Sequence, residues 1–579
     1  MATPADLFNE LITHYQLIVI EAVLVLAAVL LALINPSLGS RWFRAAEQRF
    51  TRFARRRVLS VVIVGLLALA GRAALLPWLP IPKPGTHDEF AYLLAADTFA
   101  SGRLTNPTHP MWVHFESMHI LQRPTYMSMY PIAQSLMMAA GKVVLGHPWW
   151  GVWITTGIFC AALCWMLQGW LPPQWALLGS LIAVVRIGFF SYWMNSYMGG
   201  AMAAIGGALV LGSLPRIMRR QQISDALLMG AGVIILANSR PTEGFFVALG
   251  AFVVLVVWIV KRSPPLKALL TRVALPIGSL LLLMCLAMGF YFWRVTGTPF
   301  ETPYQLNRAT YATAPVFFFQ TPGAEPHYNH AVMRDFYINW EQALYTKTQS
   351  PIGVITRTLG KVVTLWLFYF GPVLSLPLLM LARVFHDKRL RLLLIAGAVG
   401  MIGILLPAWF NAHYAAPMTG LVYALMLQGM RHLRACRWRG KETGLLLVRS
   451  IPLICLLMIP VRLGATGLGL NVKSDWRQTW SYASVGMMDR AALLKRLEST
   501  PGTHLVIVRY KPDHDFHSEW VYNEANIDAA KVVWAREMDP QSDRELINYF
   551  KDRTIWLLEA DEKPPRLSPY PPISKDSKN

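Results

Sequence analysis

Two adjacent carboxylates, Asp88 and Glu89, stand at the start of a predicted helix in the stretch GTHDEFAYLLAADTFASGRL, residues 85–104. Thr86, three residues before Glu89, fits a capping box, in which the Glu89 carboxylate accepts a hydrogen bond from the Thr86 N–H. This leaves Asp88 in the first helical turn, where unpaired N–H groups and the helix dipole favour an ionised carboxylate. Asp88 is therefore either a general base at neutral pH or only a favourable charge at a helix start, and this pattern alone allows both interpretations.

The composition indicates that this helix belongs to a membrane protein. Of 579 residues, 54% are hydrophobic and 15% are charged, and the mean hydropathy is +0.38, which is too apolar for an ordinary soluble enzyme. The net charge of +21 would suit nucleic-acid binding, but the basic residues form short clusters between apolar runs, as the positive-inside rule produces. We therefore expect membrane lipids and no nucleic acid as partners. The five cysteines show no paired spacing, so neither a disulfide framework nor a zinc site is predicted.

Apolar runs of about 20 residues predict an α-helical polytopic membrane protein with about 12 transmembrane helices. The predicted spans lie near residues 15–35, 58–78, 149–169, 174–190, 198–214, 223–237, 244–260, 270–292, 361–382, 392–410, 414–430 and 450–464. The basic clusters follow the first, fifth, seventh, ninth and eleventh spans, within residues 41–57, 216–220, 261–272, 383–391 and 431–449. All clusters are then cytoplasmic, provided that the apolar segment 131–145 lies along the membrane surface and does not cross it.

This topology brings most of the unusual polar residues to the outer face of the membrane. The outer face receives residues 79–148, 191–200, 238–244, 293–360 and 411–414, and the chain after residue 465. Arg186 lies about one turn from the outer end of its predicted span. An ionisable group at that depth faces a cavity, a partner or a headgroup, or it extends to the interface.

Several stretches of this outer face carry a family resemblance. They are HDEFAYLLAADTFASGRLTNPTHPMWVHFE, RPTYMSMYPIAQSLMMAAG, SYWMNSYMGG, NSRPTEGF and NAHYAAP. With the basic stretch and the span before them, they resemble the polyprenyl-phosphate-sugar-dependent glycosyltransferases of the GT-C superfamily, such as protein O-mannosyltransferases and the lipid A aminoarabinose transferase. The resemblance extends over residues 58–430 in layout and is sharpest over residues 85–140. It implies a GT-C-like transmembrane domain with juxtamembrane helices, such as 131–145, in the first large outer loop.

The resemblance implies that Asp88 is the catalytic base or the group that orients the acceptor. We expect an inverting transfer with Asp88 as the base, which needs a base for the acceptor hydroxyl and cations for the departing phosphate. Arginine contacts phosphate in a bidentate way, so Arg186, Arg240 and Arg123 are the candidate ligands of the donor phosphate. For Arg240 the structural alternative is a salt bridge to Glu243, three residues away, which does not exclude a role at the phosphate. Supporting roles are assigned to Glu89, Tyr92, Asn195, Glu243, His413 and Tyr414.

No metal and no other cofactor is predicted. The first outer loop holds three histidines near Glu116, and DHDFH at 513–517 adds two more, but neither group has a recognisable ligand template. Asn195 in SYWMNSYMGG stands where many relatives carry a second acid. This departure leaves the use of a divalent metal open.

The composition and the periodicity change after residue 464, the end of the predicted transmembrane domain 1–464. HLVIVRY at 504–510, KVVWA at 531–535 and TIWLLEA at 554–560 predict short strands, and DRELINYFKD predicts a helix before the last of them. We therefore expect a small periplasmic α/β domain over residues 465–565. The tail 566–579 is predicted to be disordered.

These observations favour a glycosyltransferase of GT-C type in the bacterial inner membrane, with its active site facing the periplasm. It would move a sugar from a polyprenyl-phosphate donor to a glycan, lipid or protein acceptor. The alternatives are a transporter of the lipid carrier and a non-catalytic protein that binds a sugar lipid. A transporter would show broken spans, midplane charges or repeated halves, and this sequence shows no repeat.

Overall fold

The computed structural model describes residues 15–470, 472, 475, 477–480 and 486–571. Within them, eight helices are long and apolar enough to cross a membrane: Gln16–Ile34, Arg57–Ala74, Trp149–Trp170, Gly200–Arg220, Pro241–Arg262, Leu266–Thr296, Pro351–Phe385 and Thr443–Gly464. Shorter helices occupy the other four predicted spans: Pro173–Phe189, Ile223–Ala237, Arg391–Leu405 and Thr419–Arg434. All twelve predicted spans are therefore helical, and the protein is an α-helical polytopic membrane protein.

The apolar segment 131–145 forms the helix Ala133–Leu145, which packs against both the helix His87–Ala100 and the span Trp149–Trp170. Its contact with the span is very close, because a Cβ atom added to Gly141 would lie 2.2 Å from the backbone nitrogen of Gly151. The helix Ala133–Leu145 therefore connects the carboxylate-bearing helix His87–Ala100 to the membrane domain.

The first outer loop also contains a small antiparallel sheet of three strands. The strands are β1 (Asn106–Pro107), β2 (Ile120–Leu121) and β3 (Thr125–Ser128), in the order β1-β3-β2. The second large outer loop (the second outer loop, residues 293–360) forms the helix Pro303–Tyr311 and a second helical stretch over residues 331–347. On the cytoplasmic side of the predicted topology, the basic segment after the first span forms the helix Ser40–Ala54.

The C-terminal region is an α/β domain, as predicted. Its sheet has the order β5-β4-β6-β7, with β4 (His504–Arg509) parallel to β5 (Val532–Arg536) and β6 (Thr554–Glu559). Its helices are Met488–Ser499 and Pro540–Tyr549. The prediction of disorder is wrong for Arg566–Pro569, which forms the antiparallel edge strand β7, because backbone pairing with β6 orders this polar segment. Residues 572–579 of the predicted tail lie outside the described residues.

The C-terminal domain packs directly onto the first outer loop. Phe90 of the helix His87–Ala100 stacks on Tyr522 with ring centroids 4.1 Å apart, and Arg490 lies 4.8 Å above the Phe90 ring. The two parts share one hydrophobic cluster, to which Leu94 and Phe115 contribute from the loop and Leu505, Ile507 and Val533 from the sheet. Because burial of apolar surface holds this contact together, the domain covers the helix that carries Asp88 and Glu89.

Candidate active site

Glu89 caps the helix His87–Ala100, as the sequence predicts. Its Oε2 accepts hydrogen bonds from the N–H groups of Gly85 at 2.8 Å and Thr86 at 3.2 Å. Its Oε1 accepts a hydrogen bond from the Tyr197 N–H at 3.0 Å, a contact that joins the first outer loop to SYWMNSYMGG. Burial raises the pKa of Glu89, and the backbone N–H groups act in the opposite direction. Both carboxylate oxygens are therefore engaged by backbone donors.

Asp88 has a different environment, because only one of its oxygens is engaged. The Tyr130 hydroxyl donates to Asp88 Oδ1, and His119 Nδ1 lies 2.9 Å from the same oxygen. Among the described residues, no group donates a hydrogen bond to Asp88 Oδ2, and the side chain is 28% exposed. Burial acts to raise the pKa of Asp88, but His119 and the hydrogen bonds from His119 and Tyr130 hold it well below its usual range. Asp88 is thus an ionised carboxylate with one free oxygen.

His119 is a site residue that the sequence did not single out beyond its membership of a histidine-rich loop. Its backbone adopts a left-handed conformation with φ of 64°, which is uncommon for a residue other than glycine. Its ring meets those of Phe336 and Tyr130 at centroid distances of 5.4 Å and 5.5 Å. This conformation directs the imidazole towards Asp88, and no local sequence pattern could have predicted it.

The C-terminal domain and the second outer loop form a wall beside Asp88 through His87. His87 Nδ1 lies 2.6 Å from the Tyr522 hydroxyl oxygen, and its ring packs edge-on against Phe336 at 5.2 Å. Burial lowers the pKa of His87 to about 3, and the neighbouring His119 adds to this effect. His87 is therefore neutral at physiological pH. The first outer loop, the second outer loop and the C-terminal domain meet around its ring.

Arg240 carries a guanidinium group that the protein leaves open. The group lies 4.2 Å above the ring of Tyr414, a cation–π contact. No described residue forms a hydrogen bond or a salt bridge with it, so the salt bridge to Glu243 that the sequence allowed is not formed. Glu243 is buried in the first turn of the span Pro241–Arg262. All five N–H donors of Arg240 remain available to an anion.

Arg240 and Asp88 act on the same group of tyrosines. Burial raises the pKa of Tyr92 to about 12, while Arg240 lowers it and Asp88 raises it further. Burial likewise raises the pKa of Tyr414, on which the charges of Arg240 and Asp88 both act. The Tyr92 ring stacks on Tyr130 at 4.7 Å, and Tyr130 donates to Asp88. A cation and a carboxylate, each with free hydrogen-bonding capacity, therefore border one aromatic-lined region.

Arg186 lies in a buried ion pair and not in this region. Its Nη1 donates to Glu21 Oε1 at 2.9 Å, its Nη2 donates to Thr479 Oγ1 at 3.2 Å, and its guanidinium lies 5.1 Å from the Trp480 ring. The Arg186 residue is 1% exposed. Glu21 of the first span is the partner that sequence reasoning missed, since 165 positions separate the two residues.

The remaining predicted residues have structural contacts. Asn195 accepts a hydrogen bond from Arg72 Nε at 3.1 Å and donates to two backbone carbonyl groups. His413 is buried, with its Nδ1 2.8 Å from the Tyr192 hydroxyl oxygen. Arg123 is exposed and lies 5.5 Å from the Trp112 ring. Among the described residues, neither Arg123 nor Asn195 forms a hydrogen bond, an ion pair or a ring contact with Asp88 or Arg240.

The histidines of the outer loops are used in separate contacts. His109 Nε2 lies 3.0 Å from Asp528, and His114 Nδ1 lies 2.9 Å from the Arg536 carbonyl oxygen. His514 Nδ1 lies 2.6 Å from Asp561. In the part of the chain that the structure describes, no three His, Cys, Asp or Glu side chains form a group that could hold a metal ion.

No protein-family model and no curated protein matches this sequence. Among solved structures, the chain is similar to the Archaeoglobus fulgidus oligosaccharyltransferase AglB in complex with an inhibitory peptide and a dolichol-phosphate. The two chains are 13% identical with a TM-score of 0.46, and the match covers 78% of this chain and 62% of that chain. It is also similar to ArnT from Cupriavidus metallidurans bound to undecaprenyl phosphate, with 13% identity, a TM-score of 0.47, and coverage of 87% of this chain and 93% of that chain. The chain thus spans about three fifths of the length of the archaeal chain.

Proposed function

We propose that this protein is an inverting glycosyltransferase that moves a sugar from a polyprenyl-phosphate donor to an acceptor at the periplasmic face of the inner membrane. The observation that carries the proposal is the pairing of two free groups at one site. Among the described residues, none forms a hydrogen bond with Asp88 Oδ2 or with the Arg240 guanidinium, and the charges of Asp88 and Arg240 both act on Tyr92 and Tyr414. Ionised groups that are partly withdrawn from water usually have partners, so a site that leaves both open is suited to a ligand that supplies them.

The chemistry assigns one role to each group. The polyprenyl tail stays in the bilayer, and Arg240 binds the phosphate as a bidentate donor. An acceptor hydroxyl attacks the anomeric carbon of the donor sugar, its proton passes to Asp88 Oδ2, and the bond from that carbon to the phosphate oxygen breaks. The products are the glycosylated acceptor and the polyprenyl phosphate, whose charge Arg240 stabilises.

Tyr130 and His119 position the base. Both contact Asp88 Oδ1, so they fix the carboxylate plane and direct Oδ2 away from themselves. Because they also lower the pKa of Asp88, the carboxylate is ready to accept a proton throughout the physiological pH range.

The test uses a strain that lacks the gene. Its lipid extract should accumulate a polyprenyl-phosphate sugar, and its envelope glycan fraction should lack that sugar. The purified protein in detergent micelles should then transfer the sugar from this lipid to that glycan fraction. Micelles have no two leaflets, so a carrier transporter would leave the donor intact there, and a binding protein would retain the lipid without forming product. Either outcome with well-folded protein would overturn the proposal.

A further inference from the structure

A cavity of about 620 Å³ lies between the C-terminal domain and the second outer loop. Its floor consists of residues at the carboxyl ends of β4 and β5, among them Tyr510, Lys511 and Arg536. Its opposite wall is the segment 329–335 of the second outer loop. In open α/β sheets, the crevice outside the carboxyl ends of parallel strands is the usual place for a ligand. The cavity therefore occupies the position in this domain where binding is expected.

The cavity wall contains polar groups that the protein does not satisfy. Arg536 is 2% exposed, and its Nη1 has no hydrogen-bond partner among the residues that the structure describes. The His514 side chain is 4% exposed, and its Nε2 also lacks a partner there. A buried polar atom without a hydrogen bond costs free energy, which a ligand that supplies the bond would recover. Both residues border the cavity.

The positive charges around the cavity are paired with carboxylates, which indicates the class of ligand. Lys511 lies 3.0 Å from Glu562, and Arg536 lies 2.7 Å from Glu519. Two acids of the wall are likewise engaged, since Glu537 pairs with Arg509 and Asp539 caps the helix Pro540–Tyr549. No excess of positive charge remains to select a phosphate group. The groups that remain to select a ligand are hydrogen-bond donors and acceptors and an aromatic surface.

The aromatic surface comes from Tyr510 and His514, whose rings stack with centroids 3.8 Å apart. Rings beside mixed hydrogen-bond donors and acceptors suit a neutral, hydroxyl-rich molecule such as an oligosaccharide. The cavity wall is also tied to the loop that carries Asp88, because Arg536 Nε donates to the Glu116 carbonyl oxygen at 2.9 Å and His330 Nε2 lies 2.7 Å from the Val113 carbonyl oxygen. A ligand in the cavity would thus be held next to the first outer loop.

We infer that this cavity binds a neutral oligosaccharide portion of the acceptor, which extends from there to Asp88. The inference rests on the proposed function, since it names the acceptor class for the same reaction. It assigns the C-terminal domain to acceptor recognition and leaves donor binding to the membrane domain.

The test fills the cavity without removing a contact. Ala331 is exposed on the rim, so Ala331→Trp places an indole in the space, and Met538→Trp fills it from the opposite wall. Ala492→Trp, at an exposed position of the helix Met488–Ser499 that does not border the cavity, is the matched control. The full-length protein is purified in a detergent without a sugar headgroup, and each variant is applied to an array of bacterial and synthetic neutral and anionic glycans.

Wild type and Ala492→Trp should bind a set of neutral glycans, and both cavity variants should lose that binding by tenfold or more while their melting temperatures match the control. Donor hydrolysis by water, measured without acceptor, should be equal in all four proteins. The inference is wrong if wild type binds no neutral glycan, if only anionic glycans bind, or if the filled variants bind as well as the control. Failure of the proposed function would show differently, as an absence of donor hydrolysis and transfer in wild type itself.

Discussion

Arg240 offers the sharpest test of how the donor is held. Its guanidinium lies 4.2 Å above the Tyr414 ring, and no residue in the described part of the chain forms a hydrogen bond or an ion pair with its N–H donors. Arg240→Lys keeps the positive charge and the attraction to the ring but cannot form two parallel hydrogen bonds with a phosphate. The loss of one charge-assisted hydrogen bond costs about 1.5–3 kcal/mol. At about 1.4 kcal/mol per factor of ten, affinity for the phosphate should fall about 10- to 150-fold.

The assay is the dissociation constant of a short-chain polyprenyl phosphate, measured with purified wild type, Arg240→Lys and Arg240→Ala. Arg240→Ala should bind more weakly than Arg240→Lys, since it loses the charge as well. Arg123→Lys is the matched control, because Arg123 is exposed beside Trp112, and its affinity should equal that of wild type. Equal binding by wild type and Arg240→Ala would refute the assignment, and a loss confined to Arg123→Lys would transfer the role to that residue.

Three further predictions concern the residues around the base. Glu89→Gln should destabilise the fold by about 1–3 kcal/mol, because an amide offers one acceptor oxygen where Glu89 uses two, which leaves a buried N–H unsatisfied; an unchanged thermal unfolding curve would contradict this. Tyr130→Phe removes a hydrogen bond that lowers the pKa of Asp88. The acidic limb of the pH profile of kcat/KM, which lies below about pH 3.9 in wild type, should therefore move to higher pH. An acidic limb that stays in place or moves to lower pH would contradict this prediction. The pKa of His87 is about 3 in the folded protein and about 6.5 in the unfolded chain. As the pH falls, the unfolded chain therefore takes up a proton on His87 before the folded protein does. The free energy of unfolding should decline from about pH 6.5 towards pH 3 for this reason. His87→Phe should remove that part of the decline, and identical pH slopes of melting temperature in variant and wild type would show that His87 is not its source.

The sequence predicts the helical spans well because hydrophobic length is a local property. It also predicts the capping by Glu89, whose partner Thr86 is three residues away. The partners that decide the roles of the charged groups are distant along the chain. Asp88 and Tyr130 are 42 positions apart, and His87 and Tyr522 are 435 apart.

Arg186 shows the consequence of this limit. From the sequence it is as good a phosphate ligand as Arg240, since both lie near outer ends of predicted spans. Only the folded chain distinguishes them, because Glu21 neutralises Arg186 in a buried pair while Arg240 has no such partner among the described residues. The prediction of disorder for residues 566–569 was wrong for a related reason. These residues are polar, but backbone pairing with the distant strand β6 orders them.

The central claim is that Asp88 is the base, and Asp88→Asn tests it most directly. Asparagine keeps the size of the side chain and an acceptor for the Tyr130 hydroxyl but cannot take up a proton. With purified proteins compared at temperatures where both are folded, transfer from the polyprenyl-phosphate sugar should fall by roughly 10²- to 10⁴-fold. Donor binding should persist, since Arg240 is intact. Near-normal turnover in Asp88→Asn would contradict the account and remove this carboxylate from the chemistry.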